Sequence, residues 1–411
     1  MKKILSIALL LLLTASLVSC TVGGVEILGG GNPLDKAPIF GGNSSNSENP
    51  SGDDPTTLSQ DSWDGSVDTS WYKEGSTSYT LTTAEQLAGL AELSNTKTDF
   101  TDVTITLGAN LDLCGRTWTP IGERNATIFT NGVSITINNF CGTFDGNGAT
   151  ISNLNVENGG GLFSISNGTI KNCRIAGFTA KGKSSAAGLA AANYGTVENC
   201  YASGTAHAEG SLSIGPGTIV AYAGVLLGRN TGTVKNCYSE GSAYAGTSST
   251  GAYTDSFSYA GGLIGSSSGG SVINCYSTAS ATANTNGNSA TEKSDSFGGG
   301  LIGRCENTEV ANCYATGSVS ASANHNSGYC AHVYAGGLIG SYTETNTYRN
   351  NFRSEDQQIT ATLKDEATSA TTFEGATKSV SEICTASFHT STLGWSTDVW
   401  QLSDGQFPTL K

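Results

Sequence analysis

Few residues in this 411-residue chain are of types able to do chemistry: 11 cysteines, 4 histidines and 34 acidic residues carry nearly all of it. A zinc peptidase needs His-Glu-x-x-His, in which two histidines on one helical face bind metal and the glutamate activates water. None of His207, His325, His332 or His389 is followed by Glu, so the part that would cut is missing. Paired carboxylates could cleave glycosidic bonds, and the candidates are Asp112, Asp145, Asp255 and Asp295. A tight turn explains Asp145 in Asp-Gly-Asn-Gly, and Asp112 in Leu-Asp-Leu reads as an outward strand position. No Asn-Thr-Asp or Gly-His-Gly cluster accompanies them. Asp61-x-x-Asp64-Gly65-x-x-Asp68 lacks the alternation and closing Glu of a calcium loop and reads as solvated linker. No catalytic residue, metal site or cofactor is expected.

Cys20 is a candidate of another kind. Lys2-Lys3, an apolar run from Ile4 to Leu13 and Leu17-Val18-Ser19-Cys20 follow the three-part layout of an export signal. The Leu-Val-Ser-Cys ending resembles the lipobox that is cut before a diacylated cysteine. Residues 1–19 are expected to be removed, and acyl chains on Cys20 to anchor the mature chain, because a single chain binds only marginally. Residues 20–60, rich in Gly, Ser, Asn, Asp and Pro, read as a flexible tether with a reach of roughly 35 Å. Loss of Lys2 and Lys3 leaves 18 basic against 34 acidic residues. Such an acidic surface repels phosphates, which argues against a nucleic-acid partner.

The remaining chemistry-bearing residues recur at a fixed place. Asn172-Cys173, Asn199-Cys200, Asn236-Cys237, Asn274-Cys275 and Asn312-Cys313 are spaced by 27, 37, 38 and 38 residues. A Gly-apolar stretch precedes each, and in a sixth, decaying copy Asn351 replaces the cysteine. The asparagines are expected to stack where the chain turns and to satisfy turn backbone. The cysteines are expected to form an inward stack of small apolar side chains, reduced because parallel Cβ vectors suit a disulfide poorly. A thiolate column does not converge on a point as metal ligands must. Export permits disulfides, and Cys114 with Cys141, and Cys305 with Cys330, are the candidate pairs, both placed outside the stack. Tyr201, Tyr238, Tyr276 and Tyr314 follow the stacked cysteines and should point outward as an aromatic ladder.

The elements that position these residues are strands. Gly contributes 54 residues and charged residues only 13%, and the segments between Gly or Asn turns are short and rich in Val, Ile, Tyr and Thr. One such unit cannot bury its apolar face alone, but stacked units pair equivalent strands in parallel about 4.8 Å apart. The expected fold is all-β: a parallel β-helix of roughly eight to ten coils from about 79 to 352, a rod of order 40 to 50 Å. Insertions at about 205–221, 242–259, 279–297 and 318–334 should emerge as loops on one side. Rigid aromatics among small polar residues suit an adaptable contact surface, which singles out Tyr244, Tyr253, Phe257, Tyr259, Tyr329 and Tyr334.

Gly-Gly-Leu-Ile-Gly at 261–265, 299–303 and 336–340, each of the first two followed by a Val-x-Asn-Cys-Tyr strand, resembles the GLUG repeat of bacterial surface proteins. That repeat also occurs in the non-catalytic region of immunoglobulin A peptidases. Gly142-Thr-Phe-Asp-Gly-Asn-Gly148 and the closing Asp404-Gly-Gln-Phe-Pro-Thr-Leu-Lys411 are similar to segments flanking the repeats there. The resemblance implies a right-handed β-helix of the pectate-lyase type, and weakly constrains activity, since fold does not fix function. The expected organisation is signal 1–19, tether 20–60, N-terminal cap and first coils 61–158, repeat β-helix 159–355 and C-terminal capping segment 356–411. The expected function is that of a monomeric outer-membrane lipoprotein at the cell surface, binding host protein or glycan through its loop-bearing side. A structural role in the cell envelope, and a polysaccharide-active enzyme, are the alternatives.

Overall fold

The computed structural model describes residues 63–411, except 97, 99, 130–131, 213–216, 250–253, 288–292, 326–330, 364–365 and 368–374. Each repeat folds into one coil of four strands, or five where the second-sheet strand is split. In the coil that starts at Thr233–Lys235 the chain continues through Tyr238–Ser249, Thr254–Gly261 and Ile264–Ser268, and Ser271–Ile273 begins the next. Equivalent strands pair in parallel, with one register shift at Ala176/Phe178, and in the first sheet Val197, Val234, Val272 and Val310 form one column. Four sheets of nine, fourteen, five and six strands result, named first to fourth in the order the coil visits them. The chain is thus a parallel β-helix, as its repeats imply.

Patterning explains the coil. The first-sheet strands are three residues long with one buried side chain in the middle, Val197, Val234 or Val272. A single valine cannot hold a strand, but a column of them shares one dry interior. The Gly-Gly-Leu-Ile-Gly element makes the corner between third and fourth sheets. Leu263 and Ile264 are wholly buried, and the glycines are where backbones meet. A Cβ on Gly261 would lie 1.8 Å from the Ile264 carbonyl oxygen, one on Gly262 2.2 Å from that of Gly300, and one on Gly265 2.7 Å from that of Gly228.

At the N-terminal end helix Ala84–Asn95, capped by the Thr83 hydroxyl, buries Leu87 and Leu90 over the first coil. Asp64 and Asp68 accept from the backbone N–H of Ser66 and Ser70, both at 2.8 Å, which makes them turn residues.

Two expectations are corrected. The insertions are strands, not loops. Tyr238–Ser249 leaves the coil in the second sheet and Thr254–Gly261 returns in the third, and neighbouring coils do the same in register. The result is a flange of two parallel sheets packed face to face. Its interior is lined by small side chains: Ala243 and Ala245 oppose Ala223 and Ala260 near the core, and hydroxyls take over farther out. Thr247 bonds Ser258 at 3.0 Å, Thr285 donates to Ser258 at 2.9 Å and Ser296 donates to Thr285 at 2.8 Å. Small polar composition therefore reflects close sheet approach, with Thr247, Ser258, Thr285 and Ser296 satisfying one another and nearby carbonyl oxygens.

The C-terminal segment, expected to cap the end, runs back along the side of the rod. Ala376–Lys378 still pairs with the last coil strand, Phe352–Ser354. Residues 379–411 then lie across the tyrosine ladder, where Ile383, Phe388, Leu393, Trp395, Trp400 and Leu410 form a second core with Tyr238, Tyr276 and Tyr314. The ladder does point outward, stacked at 4.3, 4.9 and 4.9 Å from Tyr201 to Tyr314. Its stacked rings leave too large an apolar stripe for water, and the strap covers it. Arg174 fastens the strap's end by donating to the Leu410 and Lys411 carbonyl oxygens at 3.0 and 2.9 Å.

Candidate binding groove

The asparagine column is the most regular polar feature of the coil. Each side-chain amide donates to the oxygen of the preceding one, from Asn350 through Asn312, Asn274, Asn236 and Asn199 to Asn172, at 3.0 to 3.1 Å. All six have φ between +52° and +56°, a left-handed conformation that asparagine tolerates better than most residues. The run ends on Asp145, an acceptor with nothing left to donate, which takes the Asn172 amide at 3.0 Å and Lys171 at 3.2 Å. Burial raises the Asp145 pKa, but bonds from Asn172, the Asn147 backbone and Lys171 outweigh it and hold the carboxyl below its ordinary value. Asn236→Ala should cost about 2–4 kcal/mol, from two lost bonds, stranded partners and left-handed strain. Asn236→Gly should recover about 1 kcal/mol of that. Thermal midpoints ordered Ala, Gly, wild type would check both.

Cys173, Cys200, Cys237, Cys275 and Cys313 form the inward stack and are wholly buried. Their sulfurs face backbone carbonyl oxygens, as Cys237 does with Lys235 at 3.1 Å. Burial pushes the Cys173, Cys200, Cys237 and Cys275 thiols well above their ordinary pKa, so they are inert at neutral pH. Asn351 fills the next place in the column and accepts from the Cys313 N–H at 3.0 Å. In native protein, alkylation followed by mass mapping should label Cys114 and leave Cys200, Cys237 and Cys275 unlabelled until the chain is unfolded.

The candidate disulfide cysteines lie apart in character. Cys114 and Cys141 are exposed, with sulfurs 3.7 and 3.6 Å from the carbonyl oxygens of Asp112 and Asn139. Cys305 is not peripheral: it occupies an inward position of the fourth sheet between Ser267 and Tyr342, and burial pushes its thiol up to about 11. Alternation after the outward Arg304 turns it inside. Cys330 and Cys20 lie outside the described residues.

The four carboxylates weighed for hydrolysis are spread over three sheets. Asp112 accepts from Asn153 at 2.8 Å in the second sheet, and Asp145 ends the amide ladder in the first. Asp255 accepts from the Lys293 N–H at 2.9 Å, and Asp295 pairs with His332 at 2.9 Å, both on the third sheet.

Among the expected contact residues, Tyr253 and Tyr329 lie outside the described residues. Tyr244 is on the outer face of the second sheet, stacked on His207 at 4.4 Å. Phe257, Tyr259 and Tyr334 are on the outer face of the third. There Tyr222, Tyr259, Phe297 and Tyr334 stack in register at 5.3, 5.0 and 5.2 Å. Stacking uses up ring faces: Tyr259 is only 3% exposed and Phe297 7%, so these two are wall rather than contact.

Beside that wall runs an outward column of the fourth sheet, Ala192, Arg229, Ser266, Arg304 and Ser341. Wall and column meet at the corner in a cavity of about 190 Å³ lined by Tyr194, Tyr222, Arg229, Ser266, Arg304 and Glu306. The Arg229 guanidinium sits 5.3 Å from the Tyr222 ring centre and that of Arg304 5.4 Å from the Tyr259 ring, both cation–π contacts. Arg304 is fully engaged, bonding the Tyr259 hydroxyl at 3.1 Å and paired with Glu306. Arg229 is exposed, and no ion-pair partner for it is found among the described residues. Tyr194, at 48% exposure, keeps an open ring at the groove's edge.

Sequence reasoning passed over Arg229, Arg304, Tyr194 and Glu306. A signal was present: arginine directly follows the glycine in Leu227-Gly228-Arg229 and Ile302-Gly303-Arg304, where Ile264-Gly265 and Ile339-Gly340 are followed by serine.

No family model matches the chain, and no curated protein matches it. Among solved structures it is similar to a Bacteroides ovatus protein provisionally described as an immunoglobulin A1 protease. The two share 18% identity with a TM-score of 0.55, over 81% of this chain and 92% of that one. At that identity the likeness is one of fold.

Proposed function

We propose that the chain is a lipid-anchored, non-catalytic surface protein that binds a ligand outside the cell through the groove side of its β-helix. The observation that carries this reading is the corner groove. An exposed guanidinium with no ion-pair partner among the described residues and an open tyrosine ring are held there on registered strands, while the asparagine ladder and the cysteine stack serve the coil itself. Pre-organised aromatic and arginine side chains are what recognition surfaces use. The export signal and Cys20 support display at a membrane, and likeness to GLUG repeats supports a surface setting. The non-catalytic reading is supported by the commitment of the repeat asparagines, the stacked cysteines and Asp145 to ladders of the coil itself.

Two measurements test the reading. Protease or biotin treatment of intact cells should modify the protein, and the purified chain should bind members of glycan or matrix-protein arrays. Complete protection in intact cells would make it an internal envelope component, and silence on every array would remove the binding role.

A further inference from the structure

We infer that the corner groove is a subsite for an acidic oligosaccharide lying along the rod axis, with a sugar carboxylate on Arg229; this rests on the binding reading above. Four observations lead to it.

The first is charge. In a strongly acidic chain, Arg229 presents an exposed guanidinium with no ion-pair partner among the described residues, and the ring of Tyr222 orients it. A guanidinium held against an aromatic ring keeps its donor edge free, and that edge matches a carboxylate in two-pronged geometry.

The second is the nature of the remaining partners. Within the coils, the backbone groups of the third and fourth sheets are used in pairing with the coils before and after. A peptide therefore finds no free strand edge here for β-addition. What the groove offers instead is side-chain hydroxyls, Ser266 and Ser268, and the open ring of Tyr194. Hydroxyls and an aromatic face suit a polyol with one apolar side.

The third is spacing. Arg229, Ser266 and Arg304 succeed one another at the inter-strand distance, about 4.8 Å, which is close to the length of one sugar ring. A linear oligosaccharide along the axis would put one ring beside each coil.

The fourth is the limit at the far end. Glu306 neutralises Arg304 and repels a second carboxylate there, so the site selects one acidic ring next to neutral ones. The cavity volume of about 190 Å³ accommodates one ring at a time rather than a folded partner.

The test is titration calorimetry on the full chain in detergent with 3′-sialyllactose and trigalacturonate. Lactose and a neutral galactose trimer are the uncharged counterparts, and hexaglutamate is the peptide control. At least one acidic sugar should bind at least tenfold more tightly than its neutral counterpart, and which one responds identifies the carboxylate as sialic or uronic. Arg229→Gln should lose that tenfold or more, with an unchanged melting curve because the side chain is exposed. Arg229→Lys should fall between. Arg349→Gln, which breaks the Glu309 pair on the first sheet, should bind as wild type. Absence of binding by both acidic sugars, equal binding by Arg229→Gln, or tighter binding of hexaglutamate would overturn the assignment. Failure of both acidic sugars to bind while another array ligand does would sink the subsite and leave the broader binding reading standing.

Discussion

Gly261→Ala should destabilise the chain by about 3 kcal/mol or more, at the upper end of what overpacking costs. The added Cβ would lie 1.8 Å from the Ile264 carbonyl oxygen and 2.8 Å from the Gly303 N–H nitrogen, and both are backbone atoms. They cannot rotate away, and each already bonds a neighbouring coil, so relief requires displacing a rung of the third or fourth sheet. Gly287→Ala is the matched control. Its Cβ would press on the Ser294 hydroxyl, the end of a side chain that can turn aside, so the cost should stay below about 1 kcal/mol. Thermal melts of the two variants and wild type decide the matter: equal midpoints for both variants would mean that corner glycines are not close-approach positions.

Trp400→Ala should cost about 3–5 kcal/mol and free the strap. The side chain is 1% exposed and sits 4.5 Å from Trp395 and 6.0 Å from both Tyr238 and Tyr276, ring centre to ring centre. Removing it empties the middle of the second core while leaving the coil stack untouched. The expected signature is protease cleavage between 355 and 379 with release of a C-terminal fragment, while the rod remains resistant. Trp400→Phe should cost far less, because the buried indole N–H has no acceptor among the described residues and the phenyl ring keeps most of the stacking. Acid should act at the same place. His389 is buried against Tyr314, with one ring nitrogen 3.2 Å from the tyrosine hydroxyl and the other 2.9 Å from the Thr385 carbonyl oxygen. Burial lowers its pKa from 6.5, so the folded state keeps it neutral where the unfolded chain takes up a proton. Stability should therefore fall as pH drops below 6.5, toward the lowered folded value. His389→Gln should lose part of the difference between melts at pH 7.5 and 5.5, and an unchanged difference would show that the strap carries no such sensitivity.

Much of the architecture was legible in repetition. Asn-Cys pairs at nearly constant spacing announced both the coil and the inward place of the cysteines, because a parallel stack repeats one environment at every level. The flange and the strap were not legible. Residues 242–259 look like a loop because Ser, Gly, Ala and Thr dominate them, the composition that lets two sheets approach closely once they are paired. Trp395 and Trp400 look like a closing cap because nothing local says that the chain turns back to lay them on the tyrosine ladder, tens to hundreds of residues upstream.

The sequence by itself determined the repeat, the alternation within each strand and the positions where only asparagine or glycine suits the turn, since these are local conformational demands repeated down the chain. The three-dimensional fold settled which columns lie side by side and what covers them. It buried Tyr259 in a wall, turned Cys305 inward, and brought Arg229 and Tyr222 together at a corner. The physical reason is that lateral neighbours in a solenoid are set by coil register and by where a strand bends, and six residues of chain lie between that tyrosine and that arginine around a corner whose angle no short-range pattern encodes.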